Sequence, residues 1–170
     1  MNMIIRLFIL TTAVIFHSTA TATIKVQFIE SAPKDSFVIT NNSNAVLENI
    51  TLTLDLSSSA GNLIFDTSAS GAGVEVFQPF ELSKGTINLS KGTHQDGVED
   101  GEQVLVLDIP ALSPHDTVSF TIDVDDQLTQ SALGQIRVTS GEMAGASVSL
   151  THQGKTNSAT FNDKNIALLN

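Results

Sequence analysis

Two groups of carboxylates stand beside strongly strand-like runs, and they are the side chains with the clearest chemistry in this chain. The first group is Asp96, Glu99, Asp100 and Glu102, leading into Val104-Leu-Val-Leu-Asp-Ile109. The second is Asp123, Asp125 and Asp126, closing the run Val118-Ser-Phe-Thr-Ile-Asp-Val124. Clustered carboxylates with glycines beside them suit a hard cation, since calcium takes about six to eight oxygens from carboxylates, carbonyls and water. Gly97 and Gly101 would allow the tight turns that aim carbonyls inward.

The two groups differ in how well they meet that chemistry. The spacing of the first departs from an EF-hand loop: Asp96 and Asp100 match its first and fifth positions, but Val98 fills the third and Leu107 replaces the closing Glu. In the second, alternation turns Val124 inward, so Asp123 and Asp125 are expected on one outer face with Asp126 opening the turn. Three like charges this close repel unless a cation or a basic group intervenes, and the nearest basic residue in sequence is Arg137. A solvated acidic strand end is the plainer alternative for both groups.

Other chemistries find little support. The chain has no cysteine, which removes thiol catalysis, zinc–thiolate sites and disulfides. His94, His115 and His152 are isolated, without metal-ligand spacing. No Gly-x-Ser-x-Gly nucleophile turn occurs. With neither Trp nor Tyr, the rings that commonly line a sugar cleft are missing, which weakens a glycosidase carboxylate pair and a stacking lectin alike.

The elements that must position these residues are strands. Ile24, Val26 and Phe28 alternate with polar residues, as do Phe37 and Ile39, then Ile50, Leu52, Leu54 and Leu56, then Val118, Phe120, Ile122 and Val124. This period of two puts one face of each strand on a core and the other in water. Further strands are expected at 74–80, 103–109, 135–139, 146–152 and 158–161, with 104–107 central because it is apolar on both faces. The tail from Gly154 should supply a last edge strand. Gly- and Pro-containing breaks separate the runs, and no sustained 3.6-residue period is present. The expected fold is all-β: an antiparallel β-sandwich of immunoglobulin-like, Greek-key type with about eight to ten strands.

The N-terminus reads as an export signal. Arg6 precedes the short apolar run 7–16, and Ala20-Thr-Ala22 has the small-x-small pattern of a cleavage site. The run is shorter than the ~20 residues that span a bilayer. Residues 1–22 are therefore expected to be a signal peptide cleaved near Ala22, and residues 23–170 one domain, secreted to the extracellular space or the periplasm. The formal net charge is −10, and loss of Arg6 makes it one unit more negative. Such a surface repels phosphate backbones and anionic headgroups, so nucleic acid and membrane insertion are not expected.

At Ser31-Ala-Pro-Lys-Asp-Ser-Phe37, Leu63-Ile-Phe-Asp66, Gly71-Ala-Gly-Val-Glu-Val-Phe-Gln-Pro-Phe80, Ser119-Phe-Thr-Ile-Asp-Val-Asp-Asp126 and Glu142-Met-Ala-Gly-Ala-Ser-Val148, the chain resembles exported bacterial proteins called "aggregation factor core", after sponge aggregation-factor proteins. The resemblance covers nearly the whole chain after the signal. It implies calcium-supported adhesion, with Asp123, Asp125 and Asp126 matching the family's acidic strand end and Asp96, Glu99, Asp100 and Glu102 its Asp-Gly-rich loop. It implies no catalytic residue. The combined expectation is a non-enzymatic adhesion or matrix-association domain whose cofactor is Ca2+ and whose partner is an extracellular protein, a glycan or a second copy of itself. An accessory glycan-binding module is the alternative.

Overall fold

Alternating apolar side chains become paired strands in the computed structural model, which describes residues 24–90 and 98–170. The signal-peptide reading of 1–22 and the candidate ligand Asp96 lie outside the described residues.

The strands are β1 (Ile24–Ile29), β2 (Ser36–Asn41), β3 (Leu47–Asp55), β4 (Ile64–Asp66), β5 (Glu81–Lys84), β6 (Asn88–Leu89), β7 (Val104–Leu112), β8 (Thr117–Thr121), β9 (Asp123–Asp125), β10 (Ser147–His152), β11 (Lys155–Thr160) and β12 (Ile166–Leu169). A one-turn helix, α1 (Ser140–Met143), precedes β10. One five-stranded sheet runs β12-β1-β2-β8-β5 and a second runs β11-β10-β3-β7-β6, while β4 and β9 form a separate pair. All pairings are antiparallel. The fold is all-β, and its two large sheets are consistent with a β-sandwich.

The period of two explains the core. Val26, Phe37, Ile39 and Phe120 from the first sheet join Leu52, Leu54, Leu105, Leu107 and Val148 from the second in one buried cluster. Phe37 lies at the middle of an aromatic row, with ring centroids 5.1 Å from Phe28 and 5.3 Å from Phe120, which in turn stacks on Phe80 at 4.8 Å. Phe120→Ala would leave a void that these rings cannot refill, and should cost about 3–5 kcal/mol. Urea denaturation followed by far-UV circular dichroism measures that loss.

Several expected elements come out differently. Residues 135–139 form no strand and instead lead into α1, capped reciprocally by Thr139 and Glu142. Residues 74–80 are irregular, because they cross over the β4–β9 pair rather than joining a sheet. The tail supplies two edge strands, β11 on one sheet and β12 on the other. Gln153 and Gly154, at φ 50° and 74°, make the tight β10–β11 turn whose twist matches the strands it joins. The twelve strands of the described residues exceed the expected number, because short pieces such as β4 and β6 have no alternation long enough to read and the run 118–124 yields two strands instead of one.

The run 118–124 also divides. β8 pairs with β2 and β5, but Ile122 donates its amide to the Asp35 carbonyl (3.0 Å) and the chain leaves that sheet. From Asp123 it pairs with β4, in the register Ile64–Asp125, Phe65–Val124 and Asp66–Asp123. That change of partner places the acidic end of the strand in the interior.

Candidate cation site

Asp66, Asp123 and Asp125 bring one carboxylate oxygen each within 4.8 Å of one another. β4 delivers Asp66 and β9 delivers the other two. All three residues have no solvent exposure. The expectation that Asp123 and Asp125 face water is thus corrected: the outer side of β9 is covered by the segment 67–78. Gln78 ties that cover down, donating its amide to the Asp66 carbonyl (3.3 Å) and accepting from the Asp123 amide (3.0 Å).

The oxygens at the centre lack donors. Both oxygens of Asp66, both of Asp123 and Oδ1 of Asp125 accept no hydrogen bond from the protein. Asp66 faces the carboxyls of Asp100 and Asp125, contacts that attract only when one member of each pair carries a proton. Buried acceptors ordinarily have partners, so this many orphans in one place calls for protons or a cation. Ion pairs between two described residues lie elsewhere: Lys34 with Glu81, Lys84 with Asp116, and Arg137 with Glu30.

The electrostatic consequence is a set of weakly acidic carboxyls. Burial, reinforced by the charges of Asp125, Asp35 and Asp66, pushes Asp123 up to about 8. Burial and the facing carboxyls of Asp100 and Asp125 raise Asp66 to about 7. Burial likewise raises Asp125. Asp35, from the turn between β1 and β2, is raised to about 7 by burial even though it accepts the amides of Ser31 (2.7 Å) and Val124 (3.2 Å). A divalent cation stabilises the ionised forms and so displaces these protons.

Of the expected ligands outside this group, Asp100 stands nearest. Its Oδ1 accepts the amides of Thr67 (2.8 Å) and Ser68 (2.9 Å), and its Oδ2 accepts that of Ala72 (2.6 Å). Burial works against its ionisation, but the three amides and the contact with Asp66 outweigh it and hold the carboxyl below its ordinary range. The chain around it runs beside β4, with Phe65 donating to the Glu102 carbonyl and Gly101 to the Phe65 carbonyl, each at 2.9 Å. Both acidic groups therefore reach one site through Asp100.

The remaining candidates sit apart from the three-residue group. Asp126 is buried, its Oδ1 accepts the Leu128 amide (3.0 Å), and its Oδ2 has no donor. Glu102 accepts the Glu99 amide (2.9 Å) within its own turn. Asp66 and Asp35 are the site residues that the sequence reading missed. Asp66 was visible only as the end of Leu63-Ile-Phe-Asp66, with no acidic neighbour to mark it.

Comparison of the chain with protein-family models, with curated proteins and with solved structures gives no match.

Proposed function

We propose that this chain is an exported, non-enzymatic β-sandwich of immunoglobulin-like, Greek-key type, completed by a calcium ion and acting in adhesion, self-association or attachment to extracellular matrix. The observation that carries the ion is the set of orphaned, fully buried oxygens on Asp66, Asp123 and Asp125. Carboxylates alone suit calcium or magnesium rather than a softer metal. Calcium is the better candidate because it accepts irregular coordination and carboxylates crowded on two strands. Asp66, Asp123 and Asp125 are the ligands, with Asp100 beside them and Asp126 at the strand end.

A structural ion explains this burial better than a reaction does. A hydrolytic carboxylate pair must touch its substrate, whereas these side chains lie beneath the 67–78 segment. Adhesion rests on the resemblance to aggregation factor core proteins, on the export signal and on an acidic surface that divalent cations can bridge. Among the described residues no helix is long and apolar enough to cross a membrane.

One observation favours a glycan partner. A recess of about 380 Å³ between β3, β6 and β7 sets the polar groups of Asn49, Thr51, Asn88 and Asp108 beside Ile50, Ile109 and Pro110, and Thr51 Oγ1 donates to Asp108 Oδ1 at 2.8 Å. Amide and carboxylate groups of this kind hydrogen-bond sugar hydroxyls without ring stacking.

Microspheres coated with the protein test the adhesion reading. They should cluster in millimolar calcium, disperse on chelation, and fail to cluster when coated with Asp123→Asn. Clustering that needs added polysaccharide would favour the glycan module. Beads that stay dispersed under both conditions would rule out self-association and glycan bridging together.

A further inference from the structure

The segment from Thr67 to Phe77 belongs to no strand or helix, yet it covers the most acidic part of the interior. Its attachments are unusual. Among the described residues, the amides of Thr67, Ser68, Ala72 and Val74 donate hydrogen bonds, and every one of them goes to a carboxylate: three to Asp100 and the fourth to Asp125 Oδ2 (2.8 Å). Gln127 adds a side-chain bond to the Ala72 carbonyl (3.2 Å). A peptide held to carboxylates rather than to a β-ladder is only as firmly seated as those carboxylates are.

The glycines show how closely it is seated. A Cβ on Gly71 would overlap Asp100 Oδ2. A Cβ on Gly73 would overlap Asp66 Cγ and Oδ2 and stand 2.6 Å from Asp125 Oδ2. Neither glycine has a positive φ, so the requirement is for space rather than for backbone freedom. The backbone at 73 thus lies directly on the carboxyls of Asp66 and Asp125, three of whose four oxygens lack donors.

We infer that the Thr67–Gln78 segment is a strap that a bound divalent cation locks over the Asp66–Asp123–Asp125 group and that opens when the cation leaves. The inference rests on the cation reading above and adds its regulation. Without the ion, the ionised carboxylates repel one another beneath the strap, and opening it admits water to solvate them. With the ion, the same carboxylates are neutralised and held in place, and so are the acceptors that hold the strap's amides. Gln78 is the fixed end, since its side chain donates to Thr121 Oγ1 (2.7 Å) on β8. The outward residues Glu75, Val76 and Phe77 are consequently presented in one arrangement only while the ion is bound.

Amide hydrogen exchange of the full domain, followed residue by residue in calcium and in chelator, tests the strap. Exchange at Thr67, Ser68, Ala72 and Val74 should slow by about 100-fold at ~100-fold excess of calcium over its dissociation constant, if the open strap does not hold the ion. Leu52 and Leu107, in the core strands, serve as the reference for global folding. Gly73→Ala should bind calcium at least about tenfold more weakly by calorimetry, because the strap cannot seat. Should that variant fail to fold, Asp100→Asn, which weakens the three-amide anchor without adding bulk, is expected to weaken calcium binding likewise and to speed exchange at Thr67, Ser68 and Ala72. Calorimetry that shows calcium bound while the four amides exchange at unchanged rates overturns the strap and leaves the cation reading standing. Calorimetry that shows no binding removes both.

Discussion

Calcium at ~100-fold excess over its dissociation constant is expected to stabilise the domain by ~2.7 kcal/mol, which for a chain of this size raises the melting temperature by about 5–10 °C. The physical source is the local charge. Asp66, Asp123 and Asp125 are buried together, none of them is in an ion pair with a basic side chain among the described residues, and five of their six oxygens have no donor. A cation bound only in the folded state converts that repulsion into coordination. Single changes Asp66→Asn, Asp123→Asn and Asp125→Asn should each remove most of the shift, since each deletes a charge and one anionic ligand. Glu99→Gln and Glu102→Gln, in the turn outside the group, should preserve it. Magnesium should shift the melting temperature less, because it demands near-octahedral geometry and gives up water reluctantly. Differential scanning calorimetry decides the matter: a calcium titration without a shift would remove the ion from the proposal.

The metal-free protein is expected to lose stability as pH rises from about 5 to about 8.5, the reverse of what paired carboxylates produce. Asp35 and Asp66 titrate at about 7 and Asp123 at about 8 in the folded chain, all raised mainly by burial. In the unfolded chain an Asp titrates at ~3.9. Between those values the folded state holds protons that the unfolded state has released, so stability falls with increasing pH through the window and levels off only about one pH unit above the Asp123 value. Asp100 acts in the opposite sense, because its carboxyl is held low; its contribution is present above ~3.9 and disappears only in more acidic solution, outside this window.

Calcium should invert the profile. Ion and protons compete for the same oxygens, so affinity increases towards pH 8.5 and the stabilisation by calcium is greatest where the metal-free protein is weakest. Asp123→Asn should make the metal-free domain more stable at pH 8.5 than the parent, as removal of an uncompensated buried charge does, while abolishing the response to calcium. Melting curves at three pH values, with chelator and with calcium, contain all of these comparisons. A metal-free melting temperature that rises between pH 5 and 8.5 would contradict the assignment of Asp35, Asp66 and Asp123 as buried carboxyls short of partners.

The strands that were legible in the sequence are those with a long alternation. Ile50-Thr-Leu-Thr-Leu-Asp55 has one apolar side chain every second residue, and it forms the C-terminal two thirds of β3 with Ile50, Leu52 and Leu54 buried. The same pattern predicts β1, β2 and β8. The segment 74–80 misled because Val74, Val76 and Phe80 alternate without being paired: the alternation describes side chains, whereas a strand also needs a neighbour for its amides.

For the site, the sequence by itself determined that acidic residues gather at Asp96–Glu102 and Asp123–Asp126, and that no cysteine, histidine cluster or nucleophile motif offers a rival chemistry. Three things were decided only by the tertiary structure. The exit of the chain from the β8 sheet at Ile122 turned Asp123 and Asp125 from the expected outer face into the interior. The pairing of β9 with β4 added Asp66, from 57 positions earlier than Asp123. The passage of 99–102 beside β4 brought Asp100 to the same place. Alternation reports the two faces of a strand, but not whether a later or earlier segment covers the polar one. Whether Asp123 and Asp125 meet water or each other depends on contacts between distant segments, and so it became visible only in the fold.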